Sequence, residues 1–197
     1  MVLSGHYDLW LVGLSYLIAA LASYVALRLS PHCAPDGRPG PAGVIPAAVT
    51  LGIGIWGMHF TGTAAYHLHG LVITYRWYLT VLSLVVAVGF TAIGFATLSL
   101  LPGDVEGPLV AGIPMAAGIL SMHFLGMMAM RGEMDIRYEA GPVIAAGAIA
   151  LFASTAALWL STLRSGMRGQ LLSAGVMGAA ICGMHYTGMQ AAVMLAG

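Results

Sequence analysis

The sequence predicts an all-α integral membrane protein, with six transmembrane helices built as three pseudo-repeated helical hairpins. Three observations predict it. Of 197 residues, 59% are hydrophobic and only 7% are charged, with a mean hydropathy of +0.91, whereas soluble domains carry about 25% charged residues. Six apolar segments are each long enough to cross a bilayer core, which takes ~20 helical residues. A Met-His decapeptide occurs three times, each time deep inside an apolar segment. Histidine in hydrocarbon is costly, so three matched copies suggest one site assembled from three equivalent parts.

The first segment runs approximately Leu9–Leu29. The residues before it, Met1 to Tyr7, lack the positive n-region of a cleaved signal peptide, so this segment is expected to be a retained span. The next five are expected at Gly43–Tyr66, Trp77–Leu101, Leu109–Met130, Pro142–Leu163 and Leu171–Ala196. The links between them are short. Pro31 to Pro41, rich in proline and glycine, is the longest; the others are His67 to Arg76, Pro102 to Pro108, Arg131 to Gly141 and Arg164 to Gln170. Strands are not expected, because an unpaired edge cannot face lipid and no alternating pattern is visible.

The repeat is set by the histidines. From His59 to His123 is 64 residues and from His123 to His185 is 62, so one repeat is one hairpin, and the motif falls on its second helix. The whole chain, 1–197, reads as a single domain of repeats at approximately 8–70, 77–134 and 141–197. The second, fourth and sixth helices must then cross in the same direction, with their histidines at similar depth, roughly 10 Å from the helix exit at ~1.5 Å per residue. Four arginines (Arg28, Arg38, Arg164, Arg168) flank one side and three (Arg76, Arg131, Arg137) the other. This bias predicts an extracytoplasmic N-terminus and histidines near the extracytoplasmic face.

Composition excludes several functions. Formal net charge is zero and no basic run invites nucleic acid. There is no lysine, so a retinal or pyridoxal Schiff base is out. Length leaves no room for a soluble catalytic domain, so the chain does not read as an enzyme. Cys33 and Cys182 do not read as a disulfide pair.

None of the six expected spans contains an acidic residue, which isolates His59, His123 and His185 as the strongly basic groups at depth. Residues four apart share a helical face, placing Met127 with His123 and Met189 with His185, while the first copy has Thr63 there. Met58, Met122 and Met184 precede the histidines. Gly62, Gly126 and Gly188 follow them by three, removing bulk beside the imidazole and permitting close helix approach. Imidazole with thioether is a soft-to-borderline ligand set that suits copper, especially Cu(I). The candidate ligands are the three histidines with Met58, Met122, Met127, Met184 and Met189; His6, His67, His69 and Cys182 are additional candidates on or near the same end. The bland readings stand beside these. A membrane histidine is commonly a helix–helix hydrogen-bond partner, methionine at helical spacing is commonly core, and Cys182 reads first as a small packing residue. Met115, Met167, Met177 and Met194 are taken as core, and Tyr16, Tyr24 and Tyr186 are expected to bond between helices.

Met-His-Phe-Thr, Met-His-Phe-Leu and Met-His-Tyr-Thr resemble the three signatures of the bacterial MHYT domain. Trp56-Gly-Met-His-Phe60, Cys182-Gly-Met-His-Tyr-Thr-Gly-Met189 and the opening Tyr7-Asp8-Leu9-Trp10-Leu11-Val12 extend the resemblance over nearly the whole chain. It implies a multi-pass sensor domain of the bacterial cytoplasmic membrane, often fused to cyclic-di-GMP or other signalling outputs. It also implies copper held by Met58, His59, Met122, His123, Met127, Met184, His185 and Met189, and sensing of oxygen, carbon monoxide or nitric oxide. Thr63 departs from the family's usual methionine. A copper-bound gas or redox sensor is therefore the leading expectation. Copper transport or delivery and a bis-histidine haem protein are the alternatives, and a histidine-bonded scaffold is the structural one.

Overall fold

The computed structural model describes residues 5–29, 41–68, 73–101, 105–132, 134–163 and 167–196. Six helices dominate: α1 (Leu9–Leu29), α2 (Pro41–Ala64), α3 (Trp77–Leu100), α4 (Glu106–Ala129), α5 (Ala140–Leu163) and α6 (Met167–Ala191). Five of them are long and apolar enough to cross a membrane. The sixth, α6, is less apolar because glycines, hydroxyls and His185 interrupt it, and it packs lengthwise between α1 and α5.

The helices close into a ring in chain order, α1 against α2 and so on round to α6 against α1. Within the ring α2, α4 and α6 also meet one another at the centre. The difference shows in burial. About half of the spanning window of α2 (56%) and α4 (50%) is buried, against 22% for α1 and 28% for α3 and α5. The outer helices turn apolar side chains such as Leu21, Val85 and Phe152 outward, which is stable only against lipid. Small residues allow the contact between layers. A methyl on Gly178 would meet the backbone of Ala20, and one on Gly52 the backbone of Val88.

The structure corrects the sequence in one class of element. Among the described residues six short strands are present: β1 (Gly5–Tyr7), β2 (Tyr66–Leu68), β3 (Thr74–Tyr75), β4 (Met130–Arg131), β5 (Met134–Tyr138) and β6 (Ala192–Ala196). They form three antiparallel pairs, β1 with β2, β3 with β4 and β5 with β6. Each joins the segment before an outer helix to the segment after the following inner helix. A backbone bond closes each unit at an equivalent place: Asp8 N–H to Ala65 C=O at 2.8 Å, Arg76 N–H to Ala129 C=O at 2.8 Å, and Glu139 N–H to Ala191 C=O at 2.9 Å. The objection to strand edges holds in hydrocarbon, whereas these ribbons lie beyond the helix ends, where water can satisfy them. The final expected span is shortened accordingly: its helix ends at Ala191, and Ala192–Ala196 is strand. Tyr66 likewise leaves its expected helix for β2.

All six strands gather at one end as a cap. Beneath it a small cluster of Leu68, Met127, Met130, Met189 and Met194 separates the cap from the central histidines. A larger core fills the ring on the other side.

Candidate metal centre

His59, His123 and His185 project from α2, α4 and α6 into the centre, and all three are fully buried (0% exposed). Each lies five or six residues before its helix end, ~8–9 Å along the axis. Their Nδ1 atoms form an equilateral triangle, with each pair 3.2 Å apart. The rings meet edge to face, with centroids 5.0–5.1 Å apart.

This triangle has a specific chemical meaning. A ring nitrogen offers one in-plane position, carrying either a proton or a lone pair. Three protons at the centre would collide and three lone pairs would repel. A single proton leaves two lone pairs facing each other. A cation at the centre satisfies all three nitrogens together. The centre lies 3.2 Å divided by √3, about 1.85 Å, from each Nδ1. Metal–imidazole bonds run ~2.0–2.1 Å, so a slight expansion of the triangle would accommodate an ion.

The far edges of the rings follow the same cyclic order. His59 lies against Gly126, His123 against Gly188 and His185 against Gly62. A methyl at any of these glycines would collide with the Nε2 edge of its neighbour. Close approach was the expected role of these glycines, but the imidazole beside each belongs to a different helix. His123 and His185 face the backbones of Gly188 and Gly62, yet no Nε2 atom completes a hydrogen bond. Ligation through Nδ1 puts the remaining proton on Nε2, toward these backbones, the arrangement that orients metal-bound histidines elsewhere.

The other candidate residues divide by position. Met127 and Met189 lie on the cap side of the triad, in the small methionine cluster. Thr63, their counterpart, donates its hydroxyl to the His59 carbonyl at 2.8 Å. Met58, Met122 and Met184 are fully buried in the larger core. Cys182 is buried and unpaired, beside Ser15. His6 and His67 sit opposite each other in the β1–β2 pair, both exposed, with ring centroids 5.5 Å apart. They belong to the cap, apart from the triad. His69, Cys33, Arg38 and Arg164 lie outside the described residues. Two tyrosines bond between helices as expected: Tyr186 Oη with Ser15 Oγ at 2.9 Å and Tyr16 with the Gly175 carbonyl at 3.4 Å.

Sequence reasoning singled out Tyr186 but missed the rest of an aromatic layer. Phe60, Phe124 and Tyr186 follow the histidines and meet them edge-on at 4.8–5.1 Å. Against these rings stand Tyr75, Tyr138 and Tyr7, with centroids at 5.3, 5.2 and 5.5 Å. Each tyrosine stands two residues before an outer helix, a repeat visible in the strings Tyr7-Asp8-Leu9, Tyr75-Arg76-Trp77 and Tyr138-Glu139-Ala140. Burial raises all three phenols, Tyr7 to about 12, with neighbouring Tyr66 and Tyr186 adding to the effect.

The profile of the MHYT family, described as a bacterial signalling protein N-terminal repeat, matches residues 52–107 and 117–174. The chain belongs to this family. It is 39% identical, over 97% of its length, to the bifunctional diguanylate cyclase/cyclic di-GMP phosphodiesterase MucR of Pseudomonas aeruginosa, covering 29% of that protein. It is 32% identical over 94% of its length to the signaling protein YkoW of Bacillus subtilis, covering 24% of it. The cyclic di-GMP phosphodiesterase NbdA of Pseudomonas aeruginosa matches at 36% identity over 64% of the chain. The chain thus spans less than a third of these relatives. No solved structure matches it. MHYT membership together with the apolar helices makes this a multi-pass membrane domain of a signalling family.

Proposed function

We propose that this MHYT domain is a copper-dependent sensor of the bacterial cytoplasmic membrane that reads a diatomic gas or the local redox state. The observation that carries the reading is the triangle of Nδ1 atoms 3.2 Å on a side. Three neutral nitrogens in a dry site favour Cu(I), and the thioethers of Met127 and Met189 on the cap side would add soft donors. A copper ion held by His59, His123 and His185 would supply a centre able to bind a small ligand or change redox state. Any ligand with different affinity for two helix packings shifts their populations. The cap closes the metal from water and is read here as extracytoplasmic, with the N-terminus on that side.

The contact between the three rings supports copper over haem, since a porphyrin needs a slot between its axial imidazoles and these rings touch one another. Among the described residues the triad is one isolated cluster, with no second histidine, cysteine or acidic group of three to continue a path across the membrane. That favours sensing over transport. The cyclic-di-GMP activities named for the relatives would belong to a longer protein or a partner carrying the output, with this domain non-enzymatic.

X-ray absorption of copper-loaded protein tests the proposal. It should show three nitrogen neighbours at ~2.0 Å. His123→Ala should abolish that shell and lower copper affinity at least tenfold. A shell of oxygen or sulfur that ignores His123 would sink the proposal.

A further inference from the structure

An apolar cavity continues the axis of the triad on the side away from the cap. One turn before the histidines stand Ile55, Ile119 and Ile181, and two turns before them stand Leu51, Met115 and Met177; all six line it. Positions four apart share a helix face, so the same three faces that present imidazole present this lining ~6–12 Å further in. The cavity measures about 20 Å³ for the centres of water-sized spheres. A single water needs ~10–15 Å³ on that measure, so the space suits one small molecule. Water itself is a poor occupant, because it needs two or more polar partners. Among the described residues the lining offers one polar side chain, Ser154.

Ser154 is where the threefold pattern breaks. Its counterparts at the same position of α1 and α3 are Ser23 and Thr91. Both donate to the carbonyl four residues earlier, Ser23 to Ala19 at 2.7 Å and Thr91 to Ala87 at 2.6 Å. Ser154 is 6% exposed, and its Oγ has no hydrogen-bond partner. α5 lines the cavity at this repeat with Ala150, Ala153 and Leu158, and α6 lines it with Ala180. The other face of α5 is turned outward through Leu151 and Phe152. A neutral gas dissolved in lipid therefore reaches this wall without crossing water.

We infer that the cavity is a docking chamber for one neutral, apolar, diatomic-sized molecule, with the Ser154 hydroxyl as its single polar contact. Ions are excluded by the lack of charge, water by the lack of partners and larger molecules by volume. The chamber stands on its own geometry, while its role in feeding the triad rests on the copper reading above.

Xenon is the probe, since it enters dry apolar cavities without any metal. Full-length protein under xenon pressure should take up one atom between Ile119, Ser154 and Ile181. Ala153→Leu should abolish that uptake, Ser154→Ala should keep it, and in Cu(I)-loaded protein Ala153→Leu should slow carbon monoxide association at least tenfold. Folded wild-type protein that takes up no xenon overturns the chamber, whatever its copper content, and needs no variant to fold. Xenon uptake with copper retained but carbon monoxide association unchanged in Ala153→Leu overturns the link to the triad. Xenon uptake in protein that holds no copper supports the chamber and defeats the copper reading alone.

Discussion

Each imidazole of the triad is fixed on both edges, its Nδ1 facing two other imidazoles and its Nε2 packed on a glycine of the next motif helix. Orientation therefore depends on glycine as much as on histidine. Gly126→Ala should push His59 out of the triangle, costing about 1–3 kcal/mol of stability as other over-packed sites do. It should also weaken copper binding in a metal titration while leaving the fold intact by circular dichroism. Binding as tight as wild type would show that the ring has room to move. The histidines themselves were legible because a basic ring in hydrocarbon demands a partner. Their cyclic pairing with glycines of other hairpins was not, because it depends on how three hairpins close. Tyr7, Tyr75 and Tyr138 recur once per hairpin, but tyrosine near a helix start costs nothing in isolation, so the sequence alone does not mark them as a set.

The ribbons are the elements that tie each hairpin to itself. Pairing Gly5–Tyr7 with Tyr66–Leu68 fixes how far α2 can slide along α1, and so the depth of His59. Sequence patterning predicts each helix to within about five residues at its ends and misses the strands. Strands of two to five residues are too short to show alternation, and their partners are about sixty residues distant. The phenols at this junction make its stability depend on pH. Tyr7 titrates at about 12 in the folded chain against its ordinary 10.0. A raised folded pKa stabilises the fold below 10.0, and that contribution is lost as pH rises through about 12. Thermal unfolding in detergent should therefore show stability falling between these values, and Tyr7→Phe should flatten part of that fall. An unchanged profile in Tyr7→Phe would mean that the phenol is not packed as described.

The bundle as a whole is asymmetric along its axis, with the triad near the capped end and the apolar chamber on the other side. The helix count was legible from hydropathy and the common direction of the motif helices from the repeat. Closure into a ring was not, because a linear row of hairpins satisfies the same pattern, and only the small-residue contacts such as Gly178 on Ala20 decide for α6 on α1. The arginine bias sets the orientation proposed above. In a background lacking Cys33 and Cys182, Arg131→Cys should react with a membrane-impermeant thiol reagent from outside intact cells, and Arg168→Cys only after lysis. The opposite pattern would invert the topology.

Copper per polypeptide, counted by elemental analysis of detergent-purified protein after a chelator wash, tests the central claim most directly. The account predicts close to one copper for each chain. Folded protein from copper-replete cells that retains none would contradict it, and would leave the three histidines as a structural knot.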